Sequence, residues 1–99
     1  MDNFSFENQM RPEEAETITV GRIVNVDGQN RSFTVFTNPD PSSAIRLNLA
    51  DNARITDFFG RPANLCCLST GTRVRVRHAN FMTMSIPPQT TAFSVRIIG

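Results

Sequence analysis

The sequence predicts an all-β fold in which five strands close into a small barrel. Three observations lead to this prediction. Ninety-nine residues are enough for one domain with a single core. From residue 17 onward, most apolar residues recur with period two, which is the period of a half-buried strand. Segments rich in glycine, proline, asparagine and serine separate the alternating stretches and predict turns between strands.

The first 16 residues differ from the rest of the chain in charge. They carry five carboxylates against one arginine, a net charge of −4, whereas the remaining residues carry nine arginines against four aspartates, a net charge of +5. The segment is polar, acidic and interrupted by Pro12, so we expect a flexible acidic arm over residues 1–16. Residues 17–99 are then the single barrel domain.

The first strand is predicted from the β-branched segment Thr17 to Asp27. Ile23 falls out of phase with the other apolar residues, and Gly21 lies where the phase changes, as expected at a bulge or sharp bend. A long, strongly curved strand of this kind can serve two sides of a barrel. The residues predicted to share its main apolar face are Ile18, Val20, Val24 and Val26.

The second and third strands follow in hairpin order. Asp27 to Asn30 supplies turn residues, after which Ser32 to Asn38 returns as the partner strand. Pro39 to Ser43 forms the next turn because its two prolines cannot serve a strand interior. Residues 45–49 alternate between apolar and polar and predict the third strand. The residues predicted to face inward are Phe33, Val35, Ile45, Leu47 and Leu49.

Residues 51–71 lose the alternation and mix small, polar and aromatic side chains. A connection of this length inside a compact domain usually has structure of its own. We therefore expect a short helix, or helical turns, that plugs one end of the barrel between the third and fourth strands.

The last two strands flank a proline-containing loop. Thr72 to Ala79 has the clearest alternation in the chain, with Val74, Val76 and His78 predicted inward and arginines outward. Residues 80–89 form a loop, and Thr91 to Ile98 predicts the fifth strand. Its inward residues are predicted to be Phe93, Val95 and Ile97.

Three strands in succession, the first of them bent, then a plug and two further strands match a small OB-like barrel. Closure of the sheet also removes the edges that a short open sheet would expose. An Sm-like barrel is the main alternative, since the two differ mostly in strand order and in where the helix lies.

Four segments give the chain a resemblance to known proteins: residues 21–27 (GRIVNVD), 51–57 (DNARITD), 71–76 (GTRVRV) and 84–89 (MSIPPQ). The most distinctive element is Ser-Ile-Pro-Pro-Gln at residues 85–89. Over residues 17–98 the chain resembles small uncharacterised bacterial proteins, mostly from Firmicutes, that have an OB-like β-barrel. The resemblance implies the fold and supplies no catalytic residues.

A row of arginines on the fourth strand is the first candidate binding site. Arg73, Arg75 and Arg77 alternate, so they stand about 7 Å apart on one face, and Arg22 and Arg96 would flank them in an OB-like barrel. Guanidinium groups in such a row can bind phosphate or carboxylate. The alternative interpretation is that the arginines serve only to keep the outer face of the strand soluble in water. The partners to weigh are single-stranded nucleic acid, an acidic protein or polysaccharide, and the acidic arm itself.

Aromatic rings for base stacking are predicted to be scarce. Phe33, Phe93 and one of the adjacent pair Phe58 and Phe59 are expected in the core. The rings expected at the surface are Phe36 and Phe81. This prediction, with the modest charge of the barrel domain, makes nucleic acid the less favoured partner.

The second candidate site is the loop that follows the fourth strand, which is apolar for a surface segment. If they are exposed, Phe81, Met82, Met84 and Ile86 form a patch typical of a protein interface. Packing of the loop over the barrel mouth is the plainer interpretation. We favour a contact with another protein, including self-association of the chain.

The sequence offers little for catalysis. His78 is the single histidine and is expected to be buried and hydrogen-bonded. Cys66 and Cys67 are adjacent and are expected to be free thiols, at least one of them inward. The chain lacks lysine, a glycine-rich phosphate loop and metal-ligand spacing. We expect a cytoplasmic binding or assembly module that is not an enzyme and has no cofactor, metal or membrane segment.

Overall fold

The computed structural model describes residues 16–99, and its regular secondary structure is almost entirely β-strand. Within this range, helical structure is limited to two three-residue 3-10 turns, Pro41–Ser43 and Leu65–Cys67. The strands are β1 (Glu16–Asp27), β2 (Ser32–Phe36), β3 (Ala44–Thr56), β4 (Pro62–Ala63), β5 (Arg73–Ala79) and β6 (Gln89–Ile97). The all-β prediction is confirmed. The predicted acidic arm falls on residues 1–15, which lie outside the described residues, and on Glu16, which begins β1.

Five strands close into a barrel in the order β2, β1, β5, β6, β3, with β3 pairing back to β2. The β3–β6 pair is parallel, and the other pairs in the ring are antiparallel. Two neighbouring pairs in the ring, β1 with β5 and β3 with β6, are not joined by a hairpin in the chain. The observed order is therefore the Greek-key arrangement of an OB-like barrel, as predicted.

The barrel interior is filled by apolar side chains from all five long strands. Val74 and Val76 face inward from β5 while the arginines between them are exposed, as the alternation predicts. Phe33, Val35 and Leu47 are also buried as predicted. The buried cluster consists of Ile23, Phe33, Val35, Leu47, Leu49, Leu68, Val74, Val76, Ala92 and Val95.

The predicted apolar face of β1 is wrong for its first half. Ile18 and Val20 are 54% and 42% exposed, whereas Gly21 and Ile23 are buried. The lack of a side chain at Gly21 lets β2 pass very close, since a Cβ there would lie 2.9 Å from the backbone oxygen of Phe36. The register shift falls after Ile23 rather than at Gly21. After the shift Val26 packs against the core as predicted, whereas Val24 is half-buried and lines an outer depression.

The predicted helical plug is a β-hairpin followed by one 3-10 turn. β3 continues to Thr56, and Ala53 and Ile55 keep the inward phase by packing against the core. The chain then turns and returns as β4, whose Pro62 lies opposite Thr56. The 3-10 turn that follows delivers Leu68 into the core.

The inward prediction for Phe93 on β6 is also wrong. Arg77 pairs with Ser94, and His78 pairs with Ala92, so Phe93 is an extra residue on β6 and forms a bulge. Ala92 and Val95 are therefore buried, while Phe93 lies half-buried on the outer side.

Both cysteines are free and exposed, so the expectation that at least one faces inward is wrong. Cys66 and Cys67 are the last two residues of the 3-10 turn, and no residue of this turn is buried. The described part of the chain holds no helix of the length and apolarity that a bilayer crossing requires.

Candidate functional site

Four arginines gather on the outer surface of three neighbouring strands. Arg75 and Arg77 project from β5, Arg96 from β6 and Arg54 from β3. We call this group the arginine face. Three of its members come from the predicted set, and the strand order of the barrel brings them to one surface.

The register of the sheet arranges the arginine face in two rows that cross the strands. One row runs Val20, Arg75, Arg96, Thr56, and the next runs Ile18, Arg77, Ser94, Arg54. Neighbouring strands are about 4.8 Å apart, and alternate residues along a strand about 7 Å apart. The guanidinium groups thus start from positions that one extended anionic chain could reach together.

The charge of the arginine face is only partly compensated. Oε1 of Glu16 forms a salt bridge with Nε of Arg77 at 2.9 Å. Among residues 16–99, the other three arginines form no ion pair. By contrast, Arg46 on the other side of the barrel donates to Asp27 at 3.2 Å and to Ser32 at 2.8 Å. Within residues 16–99, the arginine face therefore holds four guanidinium groups against one carboxylate.

A shallow depression of about 300 Å³ lies within the arginine face. Its apolar part comes from Ile18, which is exposed where a core residue was predicted, and from Val95. Arginines surround this apolar surface. The depression is lined by Ile18, Arg54, Thr56, Arg75, Arg77, Ser94, Val95 and Arg96.

Sequence analysis missed Arg54 because it was assigned to the irregular connection. The signal was present, since Leu49, Ala53 and Ile55 share one parity and leave Arg54 on the opposite face. The predicted site also contained Arg73 and Arg22, but these two residues pair with each other one row beyond Arg75 and lie outside the arginine face. Arg22 donates to the backbone oxygen of Gly71 at 2.8 Å, and Arg73 borders a different depression.

The turn between β3 and β4 adjoins the arginine face and carries two exposed aromatic rings, which we call the aromatic hairpin. Phe58 and Phe59 are 59% and 74% exposed, with ring centroids 5.5 Å apart in an edge-to-face arrangement. Arg61 lies over the Phe59 ring at 5.1 Å. A Cβ at Gly60 would lie 3.9 Å from Nη2 of Arg96. The prediction that one of these rings is in the core is therefore wrong.

Asp57 holds the aromatic hairpin in shape. Its Oδ1 accepts from the backbone N–H groups of Arg61 at 2.8 Å and Phe59 at 2.9 Å, and its Oδ2 accepts from Nε of Arg61 at 3.1 Å. The backbone N–H of Arg61 is the main cause that lowers the pKa of Asp57, with that of Phe59 and the Arg61 charge adding to it.

The lowered pKa predicts that the aromatic hairpin loosens in acid. The pKa of Asp57 in the folded protein lies below that of an ordinary aspartate, so its hydrogen bonds stabilise the hairpin fully at pH values above the ordinary pKa. This stabilisation is lost as the pH falls through the folded-state pKa. Amide NMR signals of Phe59 and Arg61 should titrate with a midpoint below the ordinary value. In the Asp57→Asn control this titration should vanish. A midpoint at or above the ordinary value would contradict the account.

The loop between β5 and β6 is exposed, and we call its residues 81–86 the apolar loop. Met84 and Ile86 are 99% and 98% exposed, and Phe81 and Met82 are also exposed. The alternative in which this loop packs over the barrel mouth is therefore wrong.

Hydrogen bonds fix the shape of the apolar loop. Thr83 donates its backbone N–H to the Gln89 oxygen at 2.9 Å, and its Oγ1 accepts from the Gln89 N–H at 3.1 Å. Ser85 Oγ lies 2.7 Å from Thr83 Oγ1 and donates to the Pro87 oxygen at 2.9 Å. Met84 and Ile86 are thus held out into solvent by a defined backbone, and less entropy is lost when they bind.

A second depression, of about 420 Å³, lies at the other end of β5, where β1 meets β2. We call it the recess. Apolar side chains supply much of its lining, among them Val24, Phe36 and Pro39. Thr37, Arg22 and Arg73 supply polar groups.

His78 is 1% exposed, and both ring nitrogens are engaged. Nδ1 donates to the Ala79 oxygen at 2.7 Å, since a carbonyl can only accept, and Nε2 lies 2.7 Å from Thr19 Oγ1. The expected buried, hydrogen-bonded histidine is confirmed, so this imidazole has no free nitrogen to offer a substrate. Within residues 16–99, no three His, Cys, Asp or Glu side chains come together as a metal site would require.

Comparisons with known proteins identify the fold. No protein-family model matches the sequence, and no curated protein is significantly similar to it. A single-site variant of CusF from Escherichia coli with copper(II) superposes with a TM-score of 0.57 and 10% identity, over 90% of this chain and 96% of that one. CusF with silver(I) gives the same TM-score at 9% identity, over 84% of this chain and 97% of that one. This likeness shows a shared OB-like barrel.

Proposed function

We propose that the protein is a non-catalytic binding module that contacts protein through the apolar loop. The observation that supports this most is the nearly complete exposure of Met84 and Ile86 on a hydrogen-bonded loop. Burial of one such side chain contributes about 1.5–3 kcal/mol. Soluble monomers rarely leave a contiguous group of large apolar side chains in water, and such groups mark interfaces.

The partner that fits the structure is a second copy of the chain. The recess offers an apolar cavity of about 420 Å³ on a different surface. The apolar loop follows the end of β5 that pairs with Glu16, whereas Arg73 at the recess is six residues away along the strand, about 20 Å. A protomer therefore cannot fill its own recess. A head-to-tail contact of loop with recess would build dimers or longer chains.

Self-association is tested by light scattering coupled to size exclusion. At tens of micromolar, the wild-type mass should exceed 11.1 kDa and rise with concentration. Met84→Ser with Ile86→Ser should return it to the monomer mass, because serine removes the apolar area. Phe59→Ser changes another exposed apolar residue, 74% exposed and outside the loop, and should leave the mass as in wild type. A wild type that stays monomeric would overturn the proposal.

A further inference from the structure

We propose that the arginine face and the aromatic hairpin together form a binding site for single-stranded nucleic acid. The site is separate from the apolar loop and does not depend on self-association. It uses four arginines, Arg54, Arg75, Arg77 and Arg96, and the exposed rings of Phe58 and Phe59.

The first support is the placement of charge. Arg75 and Arg96 occupy directly opposite positions on β5 and β6. Like charges at such positions destabilise a sheet, and a phosphate bound between them would relieve the repulsion. Glu16 forms a salt bridge with Arg77. Among the described residues, the other three arginines of the face have no carboxylate partner.

The second support is spacing. The two rows of the face are about 7 Å apart, and the strands within a row about 4.8 Å. Successive phosphates of an extended single strand are separated by a comparable distance. A backbone crossing the face can therefore place one phosphate beside Arg75 and Arg96 and the next beside Arg77 or Arg54.

The third support is the position of the aromatic rings. The aromatic hairpin approaches Arg96 through Gly60, so the rings lie at the edge of the charged surface. Bases of a single strand stack on exposed rings without regard to sequence. An acidic peptide stretch without aromatic residues would use the arginines but would gain nothing comparable from Phe58 and Phe59.

The binding test uses a fluorescein-labelled dT12 oligonucleotide and fluorescence anisotropy with the full chain. With three or four phosphates neutralised, raising the salt from about 50 to about 200 mM should weaken binding roughly 20- to 50-fold. Arg75→Ala should weaken binding and lower the salt slope by about 0.7, the share of one phosphate contact. Arg31→Ala removes an exposed arginine from the β1–β2 turn and should leave binding unchanged.

The aromatic contribution separates nucleic acid from other anionic partners. Phe59→Ala should weaken dT12 binding about fivefold or more, because stacking on one ring is lost. Met84→Ser with Ile86→Ser should bind dT12 as the wild type does, so failure of self-association would not affect this result. Binding of polyglutamate as tight as that of dT12, with no effect of Phe59→Ala, would assign the face to an acidic protein. That result, or no effect of Arg75→Ala, would overturn the proposal.

Discussion

The Val76→Asp variant is expected to lose its folded structure. Val76 is fully buried at the centre of the barrel. An ionised carboxylate placed there costs several kcal/mol in desolvation and removes the valine's packing. That loss is comparable with the whole stability of a domain of this size, about 5–15 kcal/mol. Far-UV circular dichroism and the dispersion of amide NMR signals would report the loss of structure.

The neighbouring residue on the same strand provides the control for Val76→Asp. Arg75 is exposed, so Arg75→Asp leaves the core untouched and places an aspartate opposite Arg96, an attractive pair. This variant should remain folded. If the two variants were equally stable, the assignment of the even-numbered residues of β5 to the barrel interior would be wrong.

Phe33→Ala is expected to lower the free energy of unfolding by about 3–5 kcal/mol. Phe33 is among the largest fully buried side chains, and its removal leaves a cavity against the core. Phe59→Ala makes the same chemical change at a ring that is mostly in water. It should cost about 1–2.5 kcal/mol, the combined value of its edge-to-face and cation-π contacts. Urea unfolding of both variants would measure the difference, and similar costs would contradict the assigned core.

Much of the barrel could be predicted because period-two alternation reports directly which residues face the core. β5 is the clearest case, since Val74, Val76 and His78 are buried between exposed arginines as predicted. The turn at residues 39–43 also follows from local chemistry: Asp40 caps it by accepting from the Ser42 N–H at 3.0 Å.

Other elements could not be predicted because their outcome depends on tertiary contacts. Residue 21 has to be glycine because β2 passes too close to leave room for a side chain, and no local pattern records this contact. The exposure of Phe93 depends on a one-residue bulge in the pairing of β5 with β6. A shift of one residue moves every side chain to the other face, so an unrecognised bulge inverts a prediction.

The candidate sites show the same division. Arg75, Arg77 and Arg96 were recognised from alternation, and strand order then placed them side by side. Arg54 was missed because the loss of strong apolar signal after Leu49 was taken as the end of the strand. The apolar loop was recognised from composition, but only the folded structure shows that Met84 and Ile86 point into solvent, on a loop whose shape hydrogen bonds fix.

The arginine face and the apolar loop are separate surfaces on one small barrel. The arginine face lies across β5, β6 and β3, whereas the loop and the recess lie at opposite ends of β5. Association through loop and recess would therefore leave the arginine faces accessible. Copies joined in this way would present repeated charged surfaces to one long anionic strand, which raises its apparent affinity.

Mixing two variants that are each unable to self-associate tests the loop-to-recess contact most directly. The Met84→Ser, Ile86→Ser protein keeps an intact recess, and Val24→Arg, or Thr37→Arg at the recess rim if Val24→Arg does not fold, keeps an intact loop. Each alone should have the monomer mass by light scattering. Mixed in equal amounts, they should form a 1:1 dimer, because one intact loop meets one intact recess. A mixture that stays monomeric, or a recess variant that associates as the wild type does, would contradict the account.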